Sequence, residues 1–505
     1  MNYSNNNSIQ DSVSSSNMNS TGNIPELIKI GSIDSNMTQD IETSIQEPVV
    51  QDNNTIRFSL HKRGFIHSNS KLILSLAKSG EANHYLPLNI GIGSLIRNVS
   101  FRIGDVTIQE ITDWGELHAY RSLFVSGEVQ REKEQFLSQR CINLGFNYES
   151  ADVIDAKTHQ IANGEVIYTA RSVFGVLATG NIGAYTTVFP AQTLNDMEYH
   201  LLPNQDLENE PSYQISLQDL IPFFKLNQLP AWQIEPDIYI DITLQDNVFR
   251  TCTSVNGQSA TQFVLNKAET KMIIDHIFYP GDVMEAWANA NRKIDFTFFD
   301  YRLAKMSVTA GDITTGIVRN IGGAGRLVTK VITGLFDENQ DTNDLVCSQK
   351  LLNKYGSIGA IRPFGANPGT AQGRVTSNLK FNDHFLYPVD RVLSAVHFYD
   401  VTQSEGVVPF VTRDFYGGES RTTSTTKFMG RRQDSQYDGV RGRFFFQSWR
   451  LNRSERISSR GIELYQTYNQ VGDLKSAGTP YTLKTWLEIL KYATLENGTM
   501  SCYFA

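Results

Sequence analysis

Charge is scarce in this chain. Asp, Glu, Lys and Arg make up 19% of its 505 residues, against roughly a quarter in an ordinary soluble domain. The shortfall is mainly on the basic side, with 45 Lys and Arg against 53 Asp and Glu, a net charge of −8. A nucleic-acid-coating protein needs a basic face or tail to neutralise phosphates, so no specific nucleic-acid binding is expected. Cysteine is nearly absent too: Cys141, Cys252, Cys347 and Cys502 stand far apart with no Cys-x-x-Cys. That excludes a disulfide framework and thiolate metal knuckles, and reads as reduced thiols in an intracellular setting. The nine histidines include no His-x-His or His-Glu-x-x-His, which leaves a histidine metal site without support. No run of 18 apolar residues occurs, so no transmembrane segment is expected, and no charged start leads into an apolar stretch as in a secretory signal.

What the chain has instead is aromatic side chains, 28 Phe and 21 Tyr, and period-two alternation. Strands favour aromatics. A large, weakly charged β protein is also one expected to cover part of its surface with neighbours. Residues 1–54 stand apart: Asn, Ser, Thr, Asp and Gln dominate, and Lys29 is the single basic residue. Low hydrophobicity predicts a disordered arm, with Ile24-Pro-Glu-Leu-Ile-Lys-Ile30 as a short apolar piece able to dock on a neighbour.

From Thr55 onward strand patterns take over. Leu72, Leu74 and Leu76 alternate with Ile73 and Ser75; Val99, Phe101 and Ile103 alternate with Ser100 and Arg102. Gly104-Asp105 then separates two alternating runs, a two-residue hairpin in which Gly supplies the positive φ of a II′ turn. A helical stripe is predicted from Asp113 to Gln139, split near Gly127. Strands follow at 237–244 and 272–279, and Val283 to Asn291 forms a short linking helix. Further strands are predicted at 293–301, 327–335, 375–381, 443–451, 485–495 and 499–505, with connections at 146–166, 181–212, 337–373 and 401–440. The sequence also repeats itself. Asn98-Val-Ser-Phe101, a turn and His118-Ala-Tyr120 are echoed by Asn378-Leu-Lys-Phe381, a turn and His397-Phe-Tyr399. That predicts one all-β domain used twice, with Phe101 and Phe381 at matching core positions, and Arg102 tolerant of substitution on an exposed face.

Three candidate sites compete with this reading. Glu235, Asp237 and Asp241 sit at i, i+2 and i+6 of one strand, a spacing that invites comparison with paired-carboxylate glycosidases. Pro236 interrupts that strand and Tyr239 takes the place of a further carboxylate, so a solvated face is preferred. Asp337, Asn339 and Asp341 imitate the first ligands of a calcium loop, but Thr342 replaces the required Gly and Ser348 the bidentate Glu. Gly322-Gly-Ala-Gly325 followed by Lys330 imitates a phosphate loop, yet strand rather than helix follows, so no helix dipole faces a phosphate. No catalytic, cofactor or metal site is expected.

The run Leu86-Pro-Leu-Asn-Ile-Gly-Ile-Gly-Ser-Leu-Ile-Arg-Asn-Val-Ser-Phe-Arg-Ile103 resembles the early strands of double jelly-roll major capsid proteins of polinton-like viruses and virophages, in the PRD1–adenovirus lineage. Tyr120 to Ser126 and Glu132 to Arg140 look like that family's first-domain helix. Ser216 to Leu220, Pro230 and Trp232 resemble the end of its first roll, and Phe381 to Asp390 and Leu495 to Thr499 resemble pieces of its second. The resemblance implies two tandem eight-stranded jelly rolls, with a few short helices and long loops, at 56–280 and 293–505 around a linker at 281–292. It further implies a homotrimer with a pseudo-hexagonal base, tiling an icosahedral shell around double-stranded DNA in the virion, with penton and minor capsid proteins as partners. The alternative is a carbohydrate-active or carbohydrate-binding β-sandwich protein, with Asp237 and Asp241 as the residues to test.

Overall fold

The computed structural model describes residues 40–75, 84–85, 90–124, 212–254, 265–309, 312, 316–337, 374–392, 403–406, 446–451, 455–469 and 481–504, with gaps at 53, 252 and 389–390, and strand backbone alone at 159–161, 165–168 and 178–181. The principal strands of the N-terminal half are β1 (Asp40–Gln46), β2 (Thr55–Leu60), β3 (Lys71–Ser75), β4 (Ile96–Ile103), β5 (Val106–Ile111), β6 (Ser212–Ser216), β7 (Ile238–Leu244) and β8 (Lys271–Phe278). Those of the C-terminal half are β9 (Lys293–Val308), β10 (Ile317–Gly322), β11 (Val328–Asp337), β12 (Arg374–Phe381), β13 (His384–Phe385), β14 (Gln447–Arg450), β15 (Ile462–Asn469) and β16 (Tyr481–Glu496), and β17 (Thr499–Phe504) follows. Three helices matter below: α1 (Trp114–Arg121), α2 (Phe223–Leu226) and α3 (Gly281–Ala290).

The repeat is plain in the pairing. The N-terminal half builds antiparallel sheets in the order β6-β3-β8-β1 and β2-β7-β4-β5; the C-terminal half builds β14-β11-β16-β9 and β10-β15-β12-β13. Adding eight to each strand number of the first half reproduces the second. β17 is an addition, pairing with the far end of β16.

Period-two patterning fixes which faces meet. Ile238, Ile240 and Ile242 of β7 enter the core while Tyr239, Asp241 and Thr243 stay on the other side. Val99, Phe101 and Ile103 of β4 do the same. One cluster joins both sheets of the N-terminal half, through Phe58, Leu72, Leu74, Phe101 and Ile274 among others, and continues into Phe296, Phe298 and Trp486 of the C-terminal half. The second cluster, including Val331, Leu379, Leu464, Leu483 and Leu487, closes the C-terminal sheets on each other. Each such side chain stabilises by about 1.5–3 kcal/mol on burial.

The two equivalent hairpins solve the turn differently. Gly104 has φ +55 and links β4 to β5, as a Gly-first turn requires, whereas Asn382 and Asp383 both adopt positive φ (+49 and +63) between β12 and β13. Two consecutive positive φ values mark a I′ turn, which Asn and Asp tolerate better than other non-glycine residues.

Several expectations shift. Among the described residues strand pairing starts at Asp40, inside the stretch read as an arm to residue 54: β1 pairs along β8 from Asp40↔Phe278 to Gln46↔Met272. Its polar sequence hid it, because Ile41 and Ile45 point outward and Ser44 and Gln46 inward. Without β1 the first sandwich lacks the counterpart of β9. Of the helix expected over 113–139, Trp114–Arg121 and a 3-10 turn at Ser122–Phe124 are present; residues 125–139 lie outside the described residues, as do residues 1–39, His397 to Tyr399, and Cys141, Cys252 and Cys347. The expected connections lie largely outside them too, though His159–Ile161 and Glu165–Tyr168 pair as strands within the first. Phe101 and Phe381 do sit on matching strands and both are buried. Counted from the turns, however, Ile103 faces Val106 while Phe381 faces His384, so Phe381 matches Ile103 and the four-residue echo is two residues out of register.

Candidate assembly interface

The best-built polar site in the described residues lies where the two halves meet, along the free edge of β9. An edge strand presents unpaired backbone groups, and here side-chain amides cover them. Gln109 of β5 donates from Nε2 to the Phe299 carbonyl at 2.6 Å while its Oε1 accepts from the Phe223 amide at 3.0 Å. Asn227, just after α2, donates from Nδ2 to the carbonyls of Thr297 and Phe223, both at 3.1 Å. Aromatic rings pack beside these bonds: Phe223 lies 5.1 Å from Phe298, 5.6 Å from Phe296 and 5.3 Å from Phe101, centroid to centroid. Phe101 in the first core is thereby linked through α2 to the first strand of the second sandwich.

Buried ions flank this edge. Asp113 precedes α1 with φ +50, and Glu116 lies in the first turn, where the helix dipole favours an anion. Glu116 accepts from Arg250 and from Lys484 Nζ of β16 (2.7 Å), and Lys484 is also 2.7 Å from Asp113, with Lys305 of β9 at 3.5 Å. Burial alone raises the Asp113 carboxyl, but Lys484, with Lys305 and Arg250, holds it below its ordinary value. A second cluster centres on Lys330 of β11, 2.9 Å from Glu405 and 3.8 Å from Glu488. Tyr120 of α1 donates to Glu405 at 2.5 Å and Tyr301 of β9 donates to Glu488 at 2.9 Å. Burial and then the adjoining carboxylates push both phenols well up. Burial lowers the Lys330 ammonium, yet Glu488 and Glu405 raise it further than that. In a third, Lys491 of β16 donates to the Ile108 carbonyl at 2.5 Å and stands 3.6 Å from Asp300, whose carboxyl burial raises despite Lys491 and Arg302. Buried pairs such as these add little net stability, but removing one partner strands the other charge. Their chemistry is that of a weld.

The sequence candidates land elsewhere. Asp241 lies on the outer face of β7, bonded to Arg57 at 2.6 Å and to Arg102 at 2.7 Å. Arg102 is therefore tied into an ion triad rather than free on the surface. Asp237 accepts from Tyr239 at 3.1 Å and stands 3.3 Å from Lys62, while the Glu235 amide donates to Gly498. With its carboxylate spanned by two guanidinium groups, Asp241 is set up as a cross-strand tie. Asp337 ends β11, and Asn339 and Asp341 lie outside the described residues. Gly322, Gly323 and Gly325 form the turn between β10 and β11 with φ of +90, +86 and +70, and Lys330 faces the buried carboxylates. Among the described residues no group of three His, Cys, Asp or Glu side chains is placed to hold a metal ion, and no helix is long and apolar enough to cross a membrane. The residues that sequence reading missed, Asp113, Glu116, Arg250 and Lys484, left one signal. Lys484, Glu488 and Lys491 punctuate a strand rich in apolar residues, a pattern that reads as a half-solvated face until a second sheet covers it.

No protein-family model matches the sequence, and no curated protein matches it. Solved structures do match. The PBCV-1 protein VP54, as a crystal structure fitted into a cryo-EM reconstruction of the virophage Sputnik, aligns with a TM-score of 0.52 at 12% identity, covering 93% of this chain and 97% of that one. The cryo-EM structure of the Sputnik virophage gives 0.52 at 10% identity, covering 92% and 88%. The mavirus major capsid protein gives 0.47 at 9% identity, covering 92% and 90%. These are double jelly-roll capsid proteins. The chain has the same all-β double jelly-roll fold.

Proposed function

We propose that this chain is the major capsid protein of a double-stranded DNA virus, located in the virion. Its role is structural rather than catalytic. The observation that carries the reading is the use of one eight-strand order twice in a single chain, within a fold shared with capsid proteins over 93% of its length. Residues 40–280 and 293–505 are the two rolls, with α3 in the linker between them, and residues 1–39 are the arm. Two similar rolls give one chain two similar edges, so three chains make a six-sided block that tiles an icosahedral shell. Neighbouring trimers, penton and minor capsid proteins are its partners. With a net charge of −8, charge neutralisation of the genome falls to a separate basic protein or to counterions. Purified protein is expected to elute with the mass of three chains by size exclusion with light scattering, and to show hexagonal outlines in negative stain. A monomer that cleaves or binds glycans overturns the proposal.

A further inference from the structure

β1 is held in the first sandwich by polar groups where its counterpart β9 is held by aromatic ones. Phe296 and Phe298 of β9 are fully buried in the core. The inward side chains of β1 are Ser44 and Gln46, and its apolar Ile41 and Ile45 are 55% and 63% exposed. What secures its inner face is a hydrogen-bonded chain through His276 of β8, an imidazole at 0% exposure. His276 Nδ1 lies 2.9 Å from the Arg63 carbonyl, and Nε2 lies 3.0 Å from Ser44 Oγ. Gln46 Nε2 donates to the same Ser44 Oγ at 3.1 Å, and the His61 amide donates to Gln46 Oε1 at 3.3 Å.

Both ends of this chain are backbone groups, so the protons along it are determined. The Arg63 carbonyl only accepts, so Nδ1 carries a hydrogen. The His61 amide only donates, which fixes Oε1 of Gln46 towards it and Nε2 towards Ser44. Ser44 therefore accepts from Gln46 and gives its own proton to His276 Nε2, nearer than its other acceptor, the Ile274 carbonyl at 3.5 Å. The ring that fits this chain is neutral. A second proton breaks the order: Nε2 becomes a donor facing a hydroxyl hydrogen, which must turn to the longer bond with Ile274. The charge is also cut off from solvent, which disfavours it. Of the groups facing the ring, His61 and Arg63 oppose a further positive charge, and Glu42, across from His276, is bridged to Arg63 at 3.4 Å. Asp275 is bonded to Thr43 on the opposite face of the sheet. Burial first, then His61 and the Arg63 side chain, hold the imidazole below its ordinary value against the Arg63 carbonyl and Glu42.

We propose that His276 is an acid-sensitive latch on β1: in mild acid its second proton releases β1 from β8, and the arm ahead of it gains the length of a strand. A ring kept neutral in the folded chain supports β1 fully above its free value of about 6.5. That support is lost as pH falls through the folded value.

The test is hydrogen exchange by mass spectrometry on full-length protein, corrected for the intrinsic rate, at about pH 7.5 and about pH 5.5, either side of the free histidine value. A released His276 is about nine-tenths protonated at the lower pH, so the β1 amides are expected to lose protection by up to about tenfold there. The β7 amides are expected to keep theirs. His276→Gln, whose amide can donate to the Arg63 carbonyl and accept from Ser44, is expected to protect β1 equally at both pH values. His61→Gln, a change at an exposed side chain, is expected to respond as wild type does. Should His276→Gln misfold, Ser44→Ala, which removes the donor to Nε2, is expected to lower β1 protection at neutral pH and to shrink the response to acid. Equal β1 protection at both pH values in wild type overturns the latch, as does a loss shared by every strand. A response that survives in folded His276→Gln, persists in full in Ser44→Ala, or vanishes in His61→Gln overturns it too.

Discussion

The outer faces of the two equivalent sheets carry opposite chemistry. On β2-β7-β4-β5, Arg57 and Arg102 bracket Asp241 and both guanidinium groups lie over the Tyr239 ring, at 5.5 and 5.8 Å. On β10-β15-β12-β13 the corresponding surface is Val318, Tyr465 and Phe385. Strand order and inward pattern are kept in both halves because the core permits little else; a register slip of one residue would turn every apolar side chain outward. Outer faces are under no such constraint. One carries an ion triad over an aromatic ring, and the other carries exposed apolar side chains beside the Lys380–Glu463 pair. The duplication thus supplies two frames of one shape whose outer faces have diverged.

That comparison breaks first at the seam. Glu116→Gln leaves Arg250 and Lys484 without their shared carboxylate, and losing one partner of a buried ion set costs about 3–5 kcal/mol. Chemical denaturation is expected to show that loss, with the N-terminal half unfolding separately from the C-terminal half. An unchanged single transition would mean that the ions are not what joins them. Gln109→Ala removes the bridge between Phe299 and Phe223 and leaves a buried carbonyl and amide unpaired, an expected loss of about 1–3 kcal/mol by the same measurement.

Arg102→Ala sharpens the contrast of the outer faces. It removes one of two cations from Asp241 and is expected to cost about 0.5–1 kcal/mol, against less than about 0.5 kcal/mol for Lys380→Ala on the aromatic face. Equal effects would erase the distinction between the two faces. The smallest effect is on pH dependence. The Asp113 carboxyl is held low in the folded chain, so its contribution is present above the unfolded value of about 3.9 and is lost as pH falls through the folded value. Asp113→Asn is expected to flatten the acid limb of thermal stability below about pH 4; a limb as steep as wild type would assign acid sensitivity to other carboxylates.

The β fold was legible in the sequence wherever a strand is buried on one face. β4, β7 and β8 alternate as the pattern demands, and Gly104 announces its own turn. β1 was illegible for the opposite reason: its apolar residues face outward, so alternation without core burial looked like a polar tail. The seam was illegible because burial of Lys484 depends on α1, more than three hundred residues earlier in the sequence, and periodicity carries no information at that range. The Asn-x-x-Phe echo was right about the strands and wrong about the register. Both strands follow the same side-chain alternation, so a shift of two keeps the same residues inside.

The register of β16 also has a temporal meaning. Lys293 pairs with Glu496 and Val308 with Tyr481, so the first strand of the second roll waits for a partner made some two hundred residues later, a separation typical of slow, high-contact-order topologies. At ordinary translation speeds that is about 10–40 s. During that interval the first roll has all eight of its strands, and Glu116 holds Arg250 but not yet Lys484. The ribosome thus holds the two rolls at different stages of completion. Lys484 lies on the strand that ends the wait, so its contact with Glu116 forms only once that strand has been made.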